Sequence, residues 1–488
     1  MQPTLYLAVM VAAVLAVLAA RDRVKSSWRL FAVTQVFGAT SVATLTALGG
    51  ASLGLPQVGV MVLVFAAFVA VAPSDADVTR RSLAAHPVAI ALIGYTVVIS
   101  LFGPRLFAGA LDVVSMRPEV VDGFAIATPL GPRSSNITHM AYLSGSFLTA
   151  IAVSILFCRK LSAEDFRNAV LTIGILHATF ALIDWVGLAV TNERVLEFLR
   201  NSNYVMVDQS IGDVKRLSGT LSEPSSYAAF AIPLGVFATE DWLRTRRALS
   251  GLTALGLWTA TLASTSTTGI LALVVYVAIL LPRMIIRRGS FGRTISALMV
   301  IIGIVIAFFG LGLVQPEAFS GIANFVTGLT VGKVESASSL ERQEWAAQGW
   351  SAFQASFGFG TGAGSFRSSS IVTAVLGSLG FIGASLMLAF LGQLIYSAFL
   401  TGRDPRAVER SAAWAALLLL VPAAVSSPTA DPGFVFGMLA GFVMRPRAAG
   451  ETAPLQSWRP LDSRRAARPG VSRLAIGFIS THRRAPRR

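Results

Sequence analysis

Two stretches of the chain gather the side chains that handle anions and protons. The first is Lys215-Arg216-Leu217-Ser218-Gly219-Thr220-Leu221-Ser222-Glu223-Pro224-Ser225-Ser226-Tyr227, which places Arg216 and Glu223 among hydroxyls and a glycine. A guanidinium is a planar fork of donors that matches phosphate oxygens. A carboxylate such as Glu223 can accept the proton of an attacking sugar hydroxyl. The second stretch runs from Gln315 to Ser370 and is the longest polar interval between two strongly apolar segments. It carries Arg342, Arg367 and the hydroxyls of Ser368, Ser369 and Ser370. Its glycines 358, 360, 362 and 364 stand just before an apolar run. A glycine-rich turn at the start of a helix exposes backbone N–H groups and suits an anion. The expectation is a loop that holds a phosphate-bearing substrate at a membrane surface. The glycines do not continue into a GK[ST] sequence, so a Walker loop is excluded.

Helix-start signals accompany both stretches. Pro224 suits the first turn of a helix, with Ser222 or Glu223 at its cap. Ser338 and Glu341 form an S-x-x-E capping box, which predicts a helix from about Ser339 to Phe357. Along it Arg342, Ala346, Trp350, Phe353 and Phe357 share one face. That stripe is expected to lie on protein or on the membrane surface, and the glycines end the helix.

Composition sets the setting. Hydrophobic residues make up 54% of the 488 and charged ones only 13%, against about 25% charged in ordinary soluble domains. Apolar runs near 4–20, 28–49, 56–72, 87–103, 139–157, 169–190, 224–240, 249–263, 267–282, 295–313, 371–399, 411–427 and 434–444 are long enough to suggest about 12–13 membrane helices. The fold class expected is an all-α polytopic membrane protein, with residues 1–444 as one transmembrane domain. No cleavable leader is expected, since Arg21, Arg23 and Lys25 follow the first run without a small-residue cleavage motif. Short basic intervals at 21–25, 80–81, 159–167, 244–247, 283–293 and 403–410 read as cytoplasmic. The long intervals 104–138, 191–223 and 314–370 then face outside, with Arg105, Arg117, Arg133, Arg194, Arg200 and Lys333 among their positive charges. An anionic ligand or exterior ion pairs would account for those charges. The net charge of +15 is concentrated in residues 445–488, where eleven arginines face two carboxylates. A basic tail after a last span reads as a topology signal or a lipid contact, and as disordered, rather than as a nucleic-acid surface. Cys158 is the sole cysteine, so neither an internal disulfide nor a cysteine metal cluster can form.

Further polar residues carry weaker signals. Asp75-Ala76-Asp77 matches the D-x-D of metal-binding glycosyltransferases but stands in a short cytoplasmic interval. His139 at a span start reads as a cap or interfacial residue, with a base as the alternative. His177 reads as packing. Asp184, inside a span, is a functional candidate by its position, and Asp431 is a weaker one.

The segments RLSGTLSEPSSYAAF, ERQEWAAQGW and GFGTGAGSFRSSS, in that order, resemble the Wzy/O-antigen-ligase-like superfamily over roughly residues 200–400. The resemblance implies a GT-C-like, metal-independent glycosyltransferase of the bacterial inner membrane with its site facing the periplasm. It implies no cofactor, and an undecaprenyl-pyrophosphate-linked oligosaccharide as substrate. Membrane lipids and a chain-length co-polymerase are its implied partners. Carried over, Arg216 and Arg342 grip the pyrophosphate with Arg367 as a third, Glu223 assists the acceptor, and Ser369, Tyr227 and Trp345 join the substrate-binding set. Ligases of that superfamily carry a His-Asn pair where this chain has Ser369 and Ser370. The reading therefore favours a repeat-unit polymerase over a ligase, and either over a lipid-linked oligosaccharide flippase, whose path needs charges within the spans.

Overall fold

The computed structural model describes residues 3–46, 51–71, 73, 75–116, 120–121, 124–191, 193–202, 210–211, 214–286, 337–400 and 407–446. The expected span at 295–313, the interval 314–336 and the arginine-rich tail beyond 446 lie outside them. So do Arg117 and Lys333. Helices dominate. They are α1 (Pro3–Ala19), α2 (Arg23–Thr34), α3 (Leu55–Phe65, continued as a π-helix over Ala66–Val71), α4 (Ala76–Ala84), α5 (Pro87–Leu106), α6 (Ser134–Arg159) and α7 (Ala163–Thr191). The second half adds α8 (Pro224–Thr245), α9 (Ala248–Ala263), α10 (Thr267–Ile286), α11 (Ala337–Ala355), α12 (Ile371–Ile395), α13 (Ala407–Ser426) and α14 (Phe434–Met444).

Among the described residues, six helices are long and apolar enough to cross a membrane: α5, α6, α7, α10, α12 with its extension to Leu400, and α13. Shorter apolar helices stand beside them. The described residues thus form a mostly helical membrane protein, six of whose apolar runs are full-length spans. One expected span is not a helix throughout. The run 28–49 leaves α2 at Thr34, and Ser41–Leu45 (β1) pairs antiparallel with Ala51–Gly54 (β2). Strands also occur in the interval between α5 and α6, where Asp112–Val114 (β3) pairs with Ala127–Pro129 (β4).

The core is built where α6 meets α14, α8 meets α13 and α8 meets α9. α6 is buried on nearly every face from Leu143 to Cys158, as an apolar helix must be when neighbours surround it. Phe166 stacks on Phe442 with centroids 3.8 Å apart, and Phe157 meets Phe442 edge-on at 5.4 Å. A separate small cluster of Val113, Leu130, Ala352 and Phe366 joins the β3–β4 ladder to α11 and to the segment after the glycines.

One end of the bundle neutralises its charge internally. Arg167 pairs with Asp241 at 3.0 Å, Arg283 with Glu240 at 2.7 Å, Arg159 with Asp75 at 3.1 Å and Arg445 with Glu409 at 2.7 Å. These pairs join the ends of α6, α8 and α14 to the starts of α4, α7 and α13, and the end of α10 to that of α8. Asp75 also caps α4 through Val78 N–H, and Asp77 pairs with Arg81 one turn on. The D-x-D is therefore a helix cap and an ion pair.

Candidate functional site

The starts of α6 and α8 and the end of α13 lie at the other end of the bundle, and there they enclose a cavity of about 1010 Å³. Its wall includes Arg133, His139, Glu223, Arg342, Trp345, Arg367, Ser368, Ser369 and Asp431. Residues from the two sequence stretches and from the turn between α13 and α14 thus share one space.

Glu223 is the N-cap of α8, in extended conformation with Pro224 at the first helical position. Its carboxylate accepts from the hydroxyls of Ser225 and Ser226, so it sits over the positive end of the helix, where an anion is favoured. α11 spans Ala337–Ala355, close to the expected helix. Gly349, Ala352 and Ser356 face the protein, while Trp350 is 49% and Phe357 84% exposed, which fits the membrane-surface alternative for the expected stripe. The helix lies on α12 through its small residues, which permit close approach, and turns Trp350 outward.

Arg367 is braced through its backbone. Its backbone N–H donates to Val114 O at 3.0 Å, and its own carbonyl accepts from Gln348 Nε2 at 3.2 Å. Gln348 Oε1 in turn accepts from Val114 N–H at 2.8 Å. The guanidinium lies 4.4 Å from the Trp345 ring centroid, a cation–π contact that sets its plane. Burial lowers its pKa, with Glu223 and Glu341 acting in the opposite direction. Arg342 is exposed at the cavity wall, and its carbonyl accepts the Ser369 hydroxyl at 2.5 Å. Ser369 therefore ties the segment carrying Arg367 to the helix carrying Arg342.

Arg216 stands behind this wall rather than in it. Its Nε donates to Thr265 Oγ1 at 3.0 Å and its Nη2 to Thr265 O at 2.9 Å. Burial pulls its pKa down, Glu223 opposes that, and Arg342 adds to it. Arg216 and Arg342 are thus within electrostatic range despite their separation in sequence. Tyr227 is placed elsewhere. It is fully buried, stacked on His177 at 4.1 Å between centroids, and does not line the cavity.

The loop between Arg216 and Glu223 is clamped from beneath. Asp184 in α7 accepts the N–H groups of Ser218 at 3.1 Å and Gly219 at 2.9 Å. Arg194 donates to Ser218 Oγ and Arg216 O, both at 2.9 Å, and pairs with Asp184 at 3.6 Å. Arg200 donates to the carbonyls of Leu221 and Ser222, both at 2.9 Å. Three charges whose positions suggested an anionic ligand or a functional carboxylate serve the backbone instead.

The glycine-rich segment does not act as an anion cradle. Gly358, Gly360, Gly362 and Gly364 all have positive φ, but their stretch is threaded between helices. Thr361 N–H donates to Gly377 O and Gly362 N–H to Ser378 O, each at 2.8 Å. Gly360 N–H donates to Ser356 Oγ at 2.9 Å and Ala363 N–H to Ser100 Oγ at 3.1 Å. With those donors spent inside the protein, the expected phosphate loop becomes a strap. A Cβ on Gly364 would come within 2.3 Å of Ser135 O, and one on Gly360 within 2.6 Å of Gly380 N. The glycines are required by close approach to α6 and α12.

Asp431 gains weight from its surroundings. It lies in the turn before α14, lines the cavity, and accepts from Ser146 Oγ at 2.7 Å and Gly433 N–H at 2.9 Å. Burial raises its pKa above the ordinary carboxylate range, and those two donors oppose the rise. Arg133, which the sequence shows only as one of the outside charges, and the Ser134–Ser135 start of α6, which it does not single out, are wall residues. The signal available was an arginine and two serines directly before an apolar run. Among the described residues no three His, Cys, Asp or Glu side chains gather closely enough to share a metal ion. No protein-family model matches the chain, and no curated protein matches it either.

Proposed function

We propose that the chain is a GT-C-like glycosyltransferase that polymerises undecaprenyl-pyrophosphate-linked oligosaccharide repeat units at the periplasmic face of the bacterial inner membrane. The observation that carries this reading is the cavity itself, in which Arg342, Arg367 and Glu223 share a wall with sugar-sized space between them. In the reaction, a hydroxyl oxygen of the acceptor saccharide attacks the anomeric carbon of the lipid-linked donor. The bond from that carbon to the diphosphate oxygen breaks, and the lipid diphosphate leaves with the electron pair. Arg342 and Arg367 bind the diphosphate and offset the charge that grows on it, while Arg216 adds positive potential from behind. Glu223 takes the proton from the attacking hydroxyl. Trp345 fixes the Arg367 guanidinium and offers an aromatic face beside it.

Incubating the purified protein with a lipid-linked repeat unit tests the proposal. Longer saccharides still attached to the lipid diphosphate support it. Transfer to a different lipid acceptor would favour the ligase, and movement of intact units across vesicles without lengthening would favour a flippase.

A further inference from the structure

The glycine strap and the turn before it sit at the level of two membrane spans, α5 and α12. Gly362 packs on α5, where a Cβ would come within 3.0 Å of Ile99 O and of Ser100 Cα. Ser100 stands six residues before the end of α5 at Leu106, about 9 Å along the axis. On the other side Gly362 N–H donates to Ser378 O. That carbonyl stands seven residues after the start of α12 at Ile371, about 10 Å along its axis. Gly358 and Phe359 go deeper: Gly358 O accepts the Phe381 N–H at 2.7 Å, and Phe359 O accepts the Tyr95 hydroxyl at 2.7 Å. Tyr95 and Phe381 each lie about 15 Å inward of their helix ends. Both helices are long and apolar enough to cross a membrane, and the 20 residues of α5 have no length to spare. Two spans therefore give the same depth for the strap.

The backbone here is finished for a place without water. Every N–H from Phe357 to Ala363 has an acceptor inside the protein, supplied by Phe353, Gln354, Ser356, Gly377, Ser378 or Ser100. α12 is broken at Gly380, whose φ is 65° and ψ −163°, and the strap mends the break. Phe381 N–H, which would reach Gly377 O in an unbroken helix, goes to Gly358 O, and Gly377 O takes the Thr361 N–H instead. Irregular backbone is tolerated at membrane depth only where protein meets its polar groups.

The side chains point the same way. From Phe353 to Gly364 the chain carries no charged residue. Phe357, Phe359 and Phe381 are all exposed, at the level of Val98, Phe102 and Leu106, the exposed row of α5. Phe357 has φ of 52°, a left-handed conformation that favours glycine, yet it carries a large ring that no neighbour covers. We propose that Phe357–Phe359 is a re-entrant elbow, with its rings among the lipid acyl chains of the leaflet on the cavity side, below the headgroups rather than on them. The lipid-facing surfaces of α5 and α12 continue across it. The same segment runs on to Arg367 on the cavity wall, so the insertion fixes that wall relative to the membrane.

Nitroxide labelling of the full-length protein in phospholipid nanodiscs tests the elbow. Cys158→Ser removes the sole cysteine, and single cysteines are then introduced as Phe357→Cys, Phe359→Cys or Phe381→Cys. Leu388→Cys serves as the mid-span reference and Glu344→Cys, at an exposed position of α11, as the aqueous one. Collision rates with oxygen, which enters lipid, and with a water-soluble nickel chelate give the depth of each label. Labels at Phe357 and Phe359 should favour oxygen as the Leu388 label does, and lie at least about 5 Å below the lipid phosphates, where hydrocarbon begins. Nickel access equal to that at Glu344, or a depth at the phosphates, would put the elbow on the bilayer surface and overturn the insertion. A label closed to both probes would show that protein covers the elbow, and would overturn it too. Phe381→Cys reads the same level from α12, with the same outcomes, should the elbow variants fail to fold.

Discussion

At the scale of residues, the account divides the arginines by what their forks touch. Arg342 and Arg367 face the cavity, so replacing either with alanine should cost roughly 10²–10³ in rate, as does the loss of one donor aimed at developing charge. Lysine at either position should rescue poorly, because a point charge cannot make the bidentate contact. Glu223→Gln should lower the rate by about 10²–10⁴, the range of a single proton-transfer group. These are read as initial rates of chain lengthening at equal protein level. Asp431 permits a prediction of opposite kind. A carboxyl whose folded pKa is raised supports folding fully below its unfolded pKa of about 3.9, and that support is lost as pH rises through the folded value. Asp431→Asn keeps an acceptor for Ser146 and Gly433 and removes the ionisation. Its melting temperature should exceed that of the wild type at neutral pH, and the gap should close as pH falls toward about 4. A gap that widens on acidification would contradict the burial of Asp431. Glu223, Arg342, Arg367 and Ser369 were legible in the sequence, because charges and hydroxyls beside helix starts carry their chemistry openly, whereas Trp345 entered through the family resemblance alone. Arg133 showed in the sequence only as one outside charge among several, since its place on the cavity wall depends on Thr128 and Pro129 holding its guanidinium.

Elements explain what the residues alone could not. The glycine-rich segment reads as an anion loop because positive φ and exposed N–H groups look alike in sequence whether a ligand or another helix receives them. Here Ser356, Gly377 and Ser378 receive them. Gly360→Ala or Gly364→Ala should destabilise the protein by at least about 1–3 kcal/mol from backbone strain alone, with the clash added. Calorimetry or melting in detergent checks it, and a neutral effect at both positions would show that the strap is looser than its contacts imply. The clamp under the 216–223 loop has a larger expected cost. Asp184→Ala leaves two N–H groups and the buried Arg194 uncompensated, a change of about 3–5 kcal/mol, accompanied by loss of activity. Long apolar runs announced α5, α6, α7, α10, α12 and α13 because their lengths match a bilayer. The run at 28–49 did not announce its break, since hydropathy is blind to a chain reversal after Thr34 and to pairing of Ser41–Leu45 with Ala51–Gly54. The cap and the length of α11 are legible in the sequence, whereas the packing of Gly349, Ala352 and Ser356 against the protein, which leaves Trp350 and Phe357 exposed, needs the position of α12.

The whole molecule sets two ends against each other. At one, Arg159, Arg167, Arg283 and Arg445 are matched by Asp75, Asp241, Glu240 and Glu409; at the other, arginines and carboxylates line a cavity of about 1010 Å³. Asp75 and Asp77 belong to the paired end, so their double alanine variant should keep its lengthening activity. Dialysis against EDTA should also leave the rate unchanged on this account, which assigns the diphosphate to arginines. Lengthening of a lipid-linked repeat unit by the purified protein, compared between wild type and Arg342→Ala at equal folded amounts, is the most direct measurement. The account predicts ladders of longer lipid-linked chains from the wild type and a loss of roughly 10²–10³ in their rate of formation in the variant. Ladders formed at equal rates by both proteins, or no lengthening by a folded wild type, would contradict it.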